Sequence, residues 1–208
     1  MSTRRIIDIS QPVDADVGVW PGDTAFSFEF TWKLGEGAPC NVSRVTTSPH
    51  NGTHADAPLH FLAGGASVGE VDLHRYLGPC VVVDGPREGS IGPEHLEGVD
   101  VASTPRVLVR TRDDLSTDFP DGFVSFAPEA ADWLVERGAL LIGLDTPSVD
   151  AVDSKELPTH HRVLPTSMAI LENLQLATVE PGIYELIALP LRWMGLDASP
   201  VRAVLRTL

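Results

Sequence analysis

The sequence contains few cysteines. Cys40 and Cys80 are the only two among its 208 residues. Small secreted domains that lack a sufficient core are stapled by several disulfides, and two cysteines are too few for such a framework. A chain of this length with 43% hydrophobic residues can bury a large core without a covalent link. We therefore expect both cysteines to be free thiols.

Basic residues are also scarce. Lysine and arginine together number 15 against 29 aspartates and glutamates, which gives a formal net charge of −14 at pH 7. Nucleic-acid binding requires a basic surface that displaces counterions from the phosphates, and the basic residues of this chain form no such run. The same negative charge disfavours an anionic membrane surface. We expect no nucleic-acid partner and no membrane partner.

Long apolar runs are absent as well. No segment approaches the roughly 20 consecutive apolar residues of a membrane-spanning helix. Arg4 and Arg5 near the start are not followed by the apolar stretch of an export signal. No internal repeat or low-complexity tract interrupts the chain. These features predict a cytoplasmic protein with one domain over residues 1–208.

The chain is rich in short strand patterns and poor in helix patterns. Phe26, Phe28, Phe30 and Trp32 alternate with polar residues, which predicts a strand with one buried face. The segment 140–144 is apolar on both faces, as in a strand covered by helices, so the fold class is predicted as α/β with a strand-rich mixed sheet. Strands are predicted at 6–9, 26–32, 41–47, 80–84, 106–111, 140–144, 168–172, 184–189 and 201–205. Helices are predicted at 128–137 and, shorter, near Pro93.

One short segment concentrates side chains that bind metals. His50, His54, Asp56 and His60 fall within eleven positions. His54 and Asp56 are two residues apart, so on extended chain both point to one side, and Gly52 lets the backbone turn sharply beside them. Imidazole and carboxylate suit zinc and neighbouring divalent ions. We predict that His50, His54 and Asp56 bind one cation.

His60 is expected to have a different role. Pro58 restricts the backbone between Asp56 and His60, which places His60 one step further from the cation. A general acid or base belongs at that distance. For all three histidines of this segment, a place at the surface or a hydrogen-bonded place in the core is the structural alternative.

A second cluster lies far along the chain. His160 and His161 are adjacent, and Glu172 ends an apolar strand pattern. A carboxylate in such a strand is neutralised by protonation, by a basic partner or by a metal. Pairing with an arginine is the structural alternative. We prefer a metal, with Asp56 shared between a first ion and a second ion bound by Glu172 and one of the two histidines.

The pattern His50-x-x-x-His54-x-Asp56-x-x-x-His60 resembles the signature of the metal-dependent cyclase-type hydrolases. Seven further segments resemble the bacterial kynurenine formamidase branch of that family, so the similarity spans nearly the whole chain. These segments are WPGD at 20–23, YLGPC at 76–80, GLDTPS at 143–148, DSK at 153–155, HH at 160–161, AILE at 169–172 and LDASPVR at 196–202.

This resemblance implies a swivelling β/β/α (cyclase-like) architecture and a homodimer with two divalent metal ions per subunit, expected to be zinc. The implied reaction is hydrolysis of N-formyl-L-kynurenine to L-kynurenine and formate in tryptophan degradation. The residues that match the family's first metal are His50, His54 and Asp56, with Asp56 shared, and His160 with Glu172 match the second. His60 matches the proton donor and acceptor, and Trp20 matches a substrate contact.

Several alternatives stay open. Trp20 precedes Pro21 and Gly22, and from the sequence alone its packing at a corner is the simpler interpretation. The tryptophans at positions 32, 133 and 193 are interpreted as core or interface residues. A sibling hydrolase acting on another small aryl or cyclic amide, such as isatin, is the second candidate function. A zinc-stabilised protein without activity is the third, although structural zinc sites are usually rich in cysteine.

Overall fold

The computed structural model describes residues 4–163, 166 and 168–208, and it builds them around a mixed β-sheet. The strands in chain order are β1 (Ile6–Asp8), β2 (Ser27–Trp32), β3 (Val42–Thr46), β4 (His54–Asp56), β5 (Leu77–Asp84), β6 (Ser90–Ile91), β7 (Arg106–Arg110), β8 (Ser125–Phe126), β9 (Leu141–Leu144), β10 (Ala169–Glu172), β11 (Gly182–Ile187), β12 (Ala198–Pro200) and β13 (Val204–Arg206). The α-helices are α1 (Pro128–Glu136) and α2 (Pro158–Val163), and 3₁₀ turns cover Pro58–His60, Val68–Glu70, Leu73–Tyr76 and Pro93–Leu96.

Nine strands form the main sheet in the order β1-β13-β11-β5-β7-β9-β10-β4-β12. The central strands β5, β7, β9 and β10 are parallel neighbours, and the strands outside them pair antiparallel. Parallel strands are usually buried on both faces. All four residues of β9 are buried accordingly, which confirms the prediction of a mixed sheet in an α/β protein.

The two faces of the sheet bury separate apolar clusters. Leu108, Leu141 and Leu171 belong to one cluster, whereas their neighbours Ile142 and Ile170 belong to the other. This division follows from the two-residue period of a strand. The second cluster includes buried residues of α1 and α2, so both helices cover that face.

Most predicted elements are present with small shifts at their ends. The predicted helix at 128–137 is α1, and the shorter one near Pro93 is a 3₁₀ turn. The strand predicted at 201–205 differs more, because β13 begins only at Val204. Residues 198–200 form β12, which pairs with β4, and the chain then crosses to the other edge of the sheet.

The prediction of a buried face at 26–32 is wrong. β2 exists, but all six of its residues are exposed, since it pairs only with β3 in a two-stranded ribbon outside the main sheet. Trp32 is 55% exposed and Trp193 is 36% exposed, so neither is a core residue. Trp133 does pack against the second apolar cluster, and its ring lies under the Arg137 guanidinium.

The structure also tests the predictions for the cysteines and for membrane-spanning helices. Cys40 is exposed, Cys80 is buried, and both are free. Within the described part of the chain, no helix has the length and apolar character needed to cross a membrane.

Candidate metal centre

The neighbouring strands β4 and β10 place the acidic groups of the two metal-binding segments, Asp56 and Glu172, side by side. β4 lies between β10 and β12, and Glu172 is the cross-strand partner of His54. His54 and Asp56 share one face of β4, while Ala55 between them points into the first apolar cluster. His54, Asp56 and Glu172 therefore lie on one face of the sheet and are all buried.

The Asp56 carboxylate is the centre of the cluster. Its Oδ1 lies 3.2 Å from His50 Nδ1 and 3.4 Å from His54 Nε2, and its Oδ2 lies 3.4 Å from His160 Nε2. Glu172 faces the same nitrogens, with Oε2 3.3 Å from His54 Nε2 and Oε1 3.7 Å from His160 Nε2. Residues that are more than a hundred positions apart in sequence thus converge around one carboxylate.

The remaining ring nitrogens of these histidines have fixed partners. His54 Nδ1 donates to the Gly52 carbonyl at 2.9 Å, His160 Nδ1 donates to Asp150 Oδ2 at 2.6 Å, and His50 Nε2 donates to Asp197 Oδ2 at 3.0 Å. A nitrogen that donates in this way leaves the other nitrogen of a neutral ring with a lone pair. All three lone pairs then point towards Asp56.

Such an arrangement needs a cation. His54 Nε2, His160 Nε2 and both oxygens of Asp56 are buried and have no hydrogen-bond partner among the described residues. Buried polar atoms without partners are costly, and a divalent ion would satisfy lone pairs and carboxylates together. The ligand atoms of His54, Asp56 and Glu172 lie within 4.8 Å of one another, as do those of His50, Asp56 and His60. The residues present therefore fit a metal.

The electrostatics agree with this interpretation. Burial lowers the pKa of His54, but the adjacent Asp56 and Glu172 carboxylates outweigh burial and raise it to about 10. The pKa of His160 is likewise about 10, because Asp150 and Asp56 outweigh its burial. Burial raises the pKa of Asp56, but the contacts with His160, His50 and His54 have the larger, opposite effect and hold this pKa well below its usual range. The cluster is thus a buried anionic site that binds positive charge, either protons or metal.

Helix α2 fixes His160 through Asp150. The Asp150 carboxylate accepts from the backbone N–H groups of Thr159 and His160 at 2.8 and 3.1 Å, in addition to the His160 ring. The Asp150 carboxylate therefore satisfies two backbone donors in the first turn of α2 and also orients the His160 imidazole. Neighbouring His161 is exposed, whereas His160 is buried. Of the two histidines, His160 is therefore the one that lies against Asp56 and Glu172.

His60 lies at the edge of the cluster. It is more exposed than the other three histidines, its ring centroid is 4.3 Å from that of His50, and its Nδ1 lies 3.2 Å from Asp197 Oδ2. Asp197 thus contacts both His50 and His60. Because His60 also falls within ligand range of His50 and Asp56, the geometry is compatible with a metal ligand as well as with the predicted acid or base.

A cavity of about 510 Å³ adjoins the cluster. Its lining includes His50, His54, His60, His160 and Glu172, together with the aromatic residues Trp20 and Phe119. Residues 20–23 form a turn, since the Asp23 N–H donates to the Trp20 carbonyl and Gly22 has φ of 92°. Trp20 is 38% exposed and lines the cavity. Trp20 therefore both packs against Phe119 and Phe123 and lies at the cavity beside the histidines.

Sequence reasoning missed three residues around the site. Asp150 and Asp197 orient histidines, and Phe119 lines the cavity beside Trp20. Asp197 lies within the segment 196–202, which carries part of the family resemblance. That resemblance is the one sequence feature that could have drawn attention to Asp197. Asp150 and Phe119 lie in loops without a metal-binding pattern.

Solved structures of this fold include metal-dependent hydrolases. A structure described as a potential metal-dependent hydrolase with cyclase activity matches with a TM-score of 0.86 and 26% identity over 99% of both chains. Isatin hydrolase A from Labrenzia aggregata matches with a TM-score of 0.82 and 27% identity, covering 98% of this chain and 94% of that one. The fold therefore agrees with that of metal-dependent hydrolases of the cyclase type.

Family membership follows from the sequence comparisons. The family model described as "Putative cyclase" matches residues 7–151. Kynurenine formamidase from Bordetella pertussis is 49% identical over 207 residues, which are 99% of either chain. This chain belongs to the cyclase family, and within it the chain is similar over its whole length to the Bordetella kynurenine formamidases.

Proposed function

We propose that this protein is an arylformamidase that hydrolyses N-formyl-L-kynurenine to L-kynurenine and formate in tryptophan degradation. The observation that supports this most directly is the 49% identity, across 99% of both chains, to a kynurenine formamidase. The buried carboxylate and imidazole cluster beside an aromatic-lined cavity supplies the chemistry that amide hydrolysis requires.

We propose two divalent ions per subunit, with zinc as the expected metal. His50, His54 and Asp56 would bind one ion, and His160 with Glu172 the other, while Asp56 is shared between them. The two oxygens of Asp56 support this division, because Oδ1 faces His50 and His54 whereas Oδ2 faces His160. When bound, such ions lower the pKa of a water molecule and polarise a carbonyl group.

His60 is proposed to move the proton of the reaction. Hydrolysis forms a bond from water oxygen to the formyl carbon, breaks the bond from that carbon to the aryl nitrogen, and transfers a proton to the departing amine. His60 lines the cavity, and its Nδ1 is occupied by Asp197, so Nε2 is the nitrogen available for this transfer. Asp197 thereby selects the tautomer of the ring.

Trp20 is proposed to contact the aromatic ring of the substrate. Its indole lines the same cavity as the histidines, and aromatic pairs favour edge-to-face or offset contact. We further propose one catalytic domain over residues 1–208, a cytoplasmic location and a homodimer. A solution mass of twice the chain mass of 22.4 kDa would support the dimer.

The test combines metal content with turnover on one purified sample. Two equivalents of zinc per chain together with hydrolysis of N-formyl-L-kynurenine are the expected results. Hydrolysis of isatin but not of formylkynurenine would favour the second candidate function, whose support is the 27% identity to an isatin hydrolase. No turnover of either compound by the zinc-loaded protein would contradict both.

A further inference from the structure

One loop beside the cavity, residues 112–124, is fixed at both of its ends. We call it the rim loop. At its start, Asp145 accepts from the backbone N–H groups of Thr111 and Arg112 at 2.9 and 3.0 Å, and from the Thr111 hydroxyl at 2.6 Å. At its end, the Thr146 hydroxyl donates to the Val124 carbonyl at 2.9 Å. Asp145 and Thr146 directly follow β9, so the central sheet positions this loop.

The rim loop is also joined to the segment that carries Trp20. The Gly18 N–H donates to the Thr117 carbonyl at 2.7 Å. A Cβ atom added to Gly18 would lie 2.1 Å from the Phe119 amide nitrogen, and real side chains do not approach so closely. Only glycine at position 18 allows the two segments to make this contact.

The contact of Gly18 with Thr117 and Phe119, called the junction below, places two aromatic rings together at the cavity. The Trp20 and Phe119 centroids are 5.3 Å apart at an interplanar angle of 79°, which is an edge-to-face pair. Both residues line the cavity. Phe123 lies behind them, with centroids 6.3 Å from Trp20 and 6.4 Å from Phe119, but it does not line the cavity.

We propose that Phe119 is a specificity-determining residue that, together with Trp20, selects N-formyl derivatives of aromatic amines over those of alkyl amines. This inference rests on the proposed function and names a residue that sets its substrate class. The rim loop holds the Phe119 ring in place before substrate arrives, so an aryl group gains contact with two rings at little cost in ordering. An alkyl group of the same size gains less, because it has no ring for edge-to-face contact.

The test compares F119A with F123A, two substitutions that both remove a phenyl group in contact with Trp20. F119A should raise KM for N-formyl-L-kynurenine and formanilide about tenfold and change kcat less than about threefold. This pattern is expected when a substitution removes a contact that binds the ground state and the transition state equally well. Its KM for N-formylbutylamine should stay within about twofold. F119Y should restore the preference for aryl groups, whereas F123A should largely keep it.

Gly18 provides a second arm. G18A should displace the two segments and reduce the aryl-to-alkyl ratio of kcat/KM, since its Cβ would overlap the Phe119 backbone. G122A is the matched control, because a Cβ at Gly122 in the same loop meets no atom within 4 Å. Equal effects of the two alanine substitutions would contradict the role of the junction.

A binding measurement separates this inference from the proposed function. 2-Aminoacetophenone, an aniline with an ortho acyl group, is titrated into the metal-free protein and followed by quenching of tryptophan fluorescence. F119A should weaken its binding about tenfold relative to wild type and F123A. If wild type hydrolyses no formamide, the proposed function fails and this titration still decides the role of Phe119. An unchanged aryl-to-alkyl ratio in active F119A, or unchanged binding, overturns the inference.

Discussion

Asp197 contacts two histidines that have different proposed roles. Its Oδ2 lies 3.0 Å from His50 Nε2 and 3.2 Å from His60 Nδ1. Burial raises the pKa of Asp197, but contact with His50 and His60 lowers it overall, so the carboxylate is ionised near neutral pH. A charged acceptor holds an imidazole N–H more firmly than a neutral one. Asp197 is therefore a positioning residue.

D197N is expected to reduce kcat about 10- to 100-fold, because an amide oxygen cannot replace the charged acceptor for both rings. The acidic limb of the kcat–pH profile should shift, since a neutral amide in place of the ionised Asp197 removes a negative charge beside both histidines. The pH profile of D197N and the partial rescue by D197E are the measurements. A merely structural role would lower the stability of the fold and leave the shape of the profile unchanged.

His60 and His160 differ in burial, and this difference predicts different effects of replacing them. His60 is more exposed and lies at the edge of the cluster, whereas His160 is buried between Asp56 and Asp150. H60A should lower kcat by about 10²- to 10⁴-fold while both metal equivalents remain. H160A should lose metal as well as activity. Metal analysis of the two variants after dialysis is the measurement, and equal metal loss would make His60 a ligand.

The raised pKa values of His54 and His160 predict how metal binding depends on pH. In the metal-free protein both have a pKa of about 10, so both are protonated at neutral pH. A cation needs the lone pairs and must displace these protons. Affinity should therefore rise with pH up to about 10, by about tenfold per unit for each proton displaced. Calorimetry in buffers of different ionisation enthalpy counts the protons, and an affinity independent of pH would contradict the prediction.

At the residue scale, sequence patterns indicate the proposed ligands more directly than the groups that orient them. His50, His54 and Asp56 are close in sequence, so strand periodicity alone places two of them on one face. Asp150 and Asp197 reach the histidines through tertiary contacts, and the sequence contains no short-range pattern for either. The convergence of Glu172 on His54 depends on strand order, which a sequence pattern does not specify.

The ribbon of β2 and β3 shows the limit of sequence patterns for whole elements. Alternating aromatics predict a strand at 26–32, and the structure has one at Ser27–Trp32, yet Phe28 and Phe30 are 57% and 45% exposed. Periodicity identifies a face with common chemistry, and whether that face is covered depends on which element packs against it. The segment 140–144 is apolar without alternation. Such a run is typical of a parallel strand that is covered on both faces, and the burial of all four residues of β9 confirms this prediction.

Strand β9 allows a prediction about packing in the sheet. A Cβ added to Gly143 would lie 2.7 Å from Leu108 Cδ2 and 3.0 Å from Leu174 Cδ1. Since both neighbours are buried, G143A should overpack the core and lower the free energy of unfolding by about 1–3 kcal/mol. Urea denaturation measures the change. G182A in β11 is the matched control, because its Cβ would meet only Tyr184 at an ordinary 3.7 Å, and equal losses would contradict this account.

At the scale of the whole molecule, the apolar core extends well beyond the candidate metal cluster. The two apolar clusters on the faces of the sheet reach from β4 to β13, whereas the strands that carry proposed ligands are β4 and β10. The first is formed mainly by strands on both sides of β5, and the second is closed by α1 and α2. Because most buried apolar area is independent of the metal, the fold should not require it.

Chelation of the metal should therefore abolish activity and leave the fold in place. The far-ultraviolet circular dichroism should stay unchanged, and readdition of zinc should restore turnover. A ligand at 100 times its Kd stabilises the native state by about 2.7 kcal/mol. For a chain of this size its removal should lower Tm by about 5–10 °C. A structural zinc protein would instead unfold when its metal is removed, since its metal-binding energy is its folding energy. Loss of the circular dichroism signal on chelation would therefore favour a structural site over the proposed catalytic one.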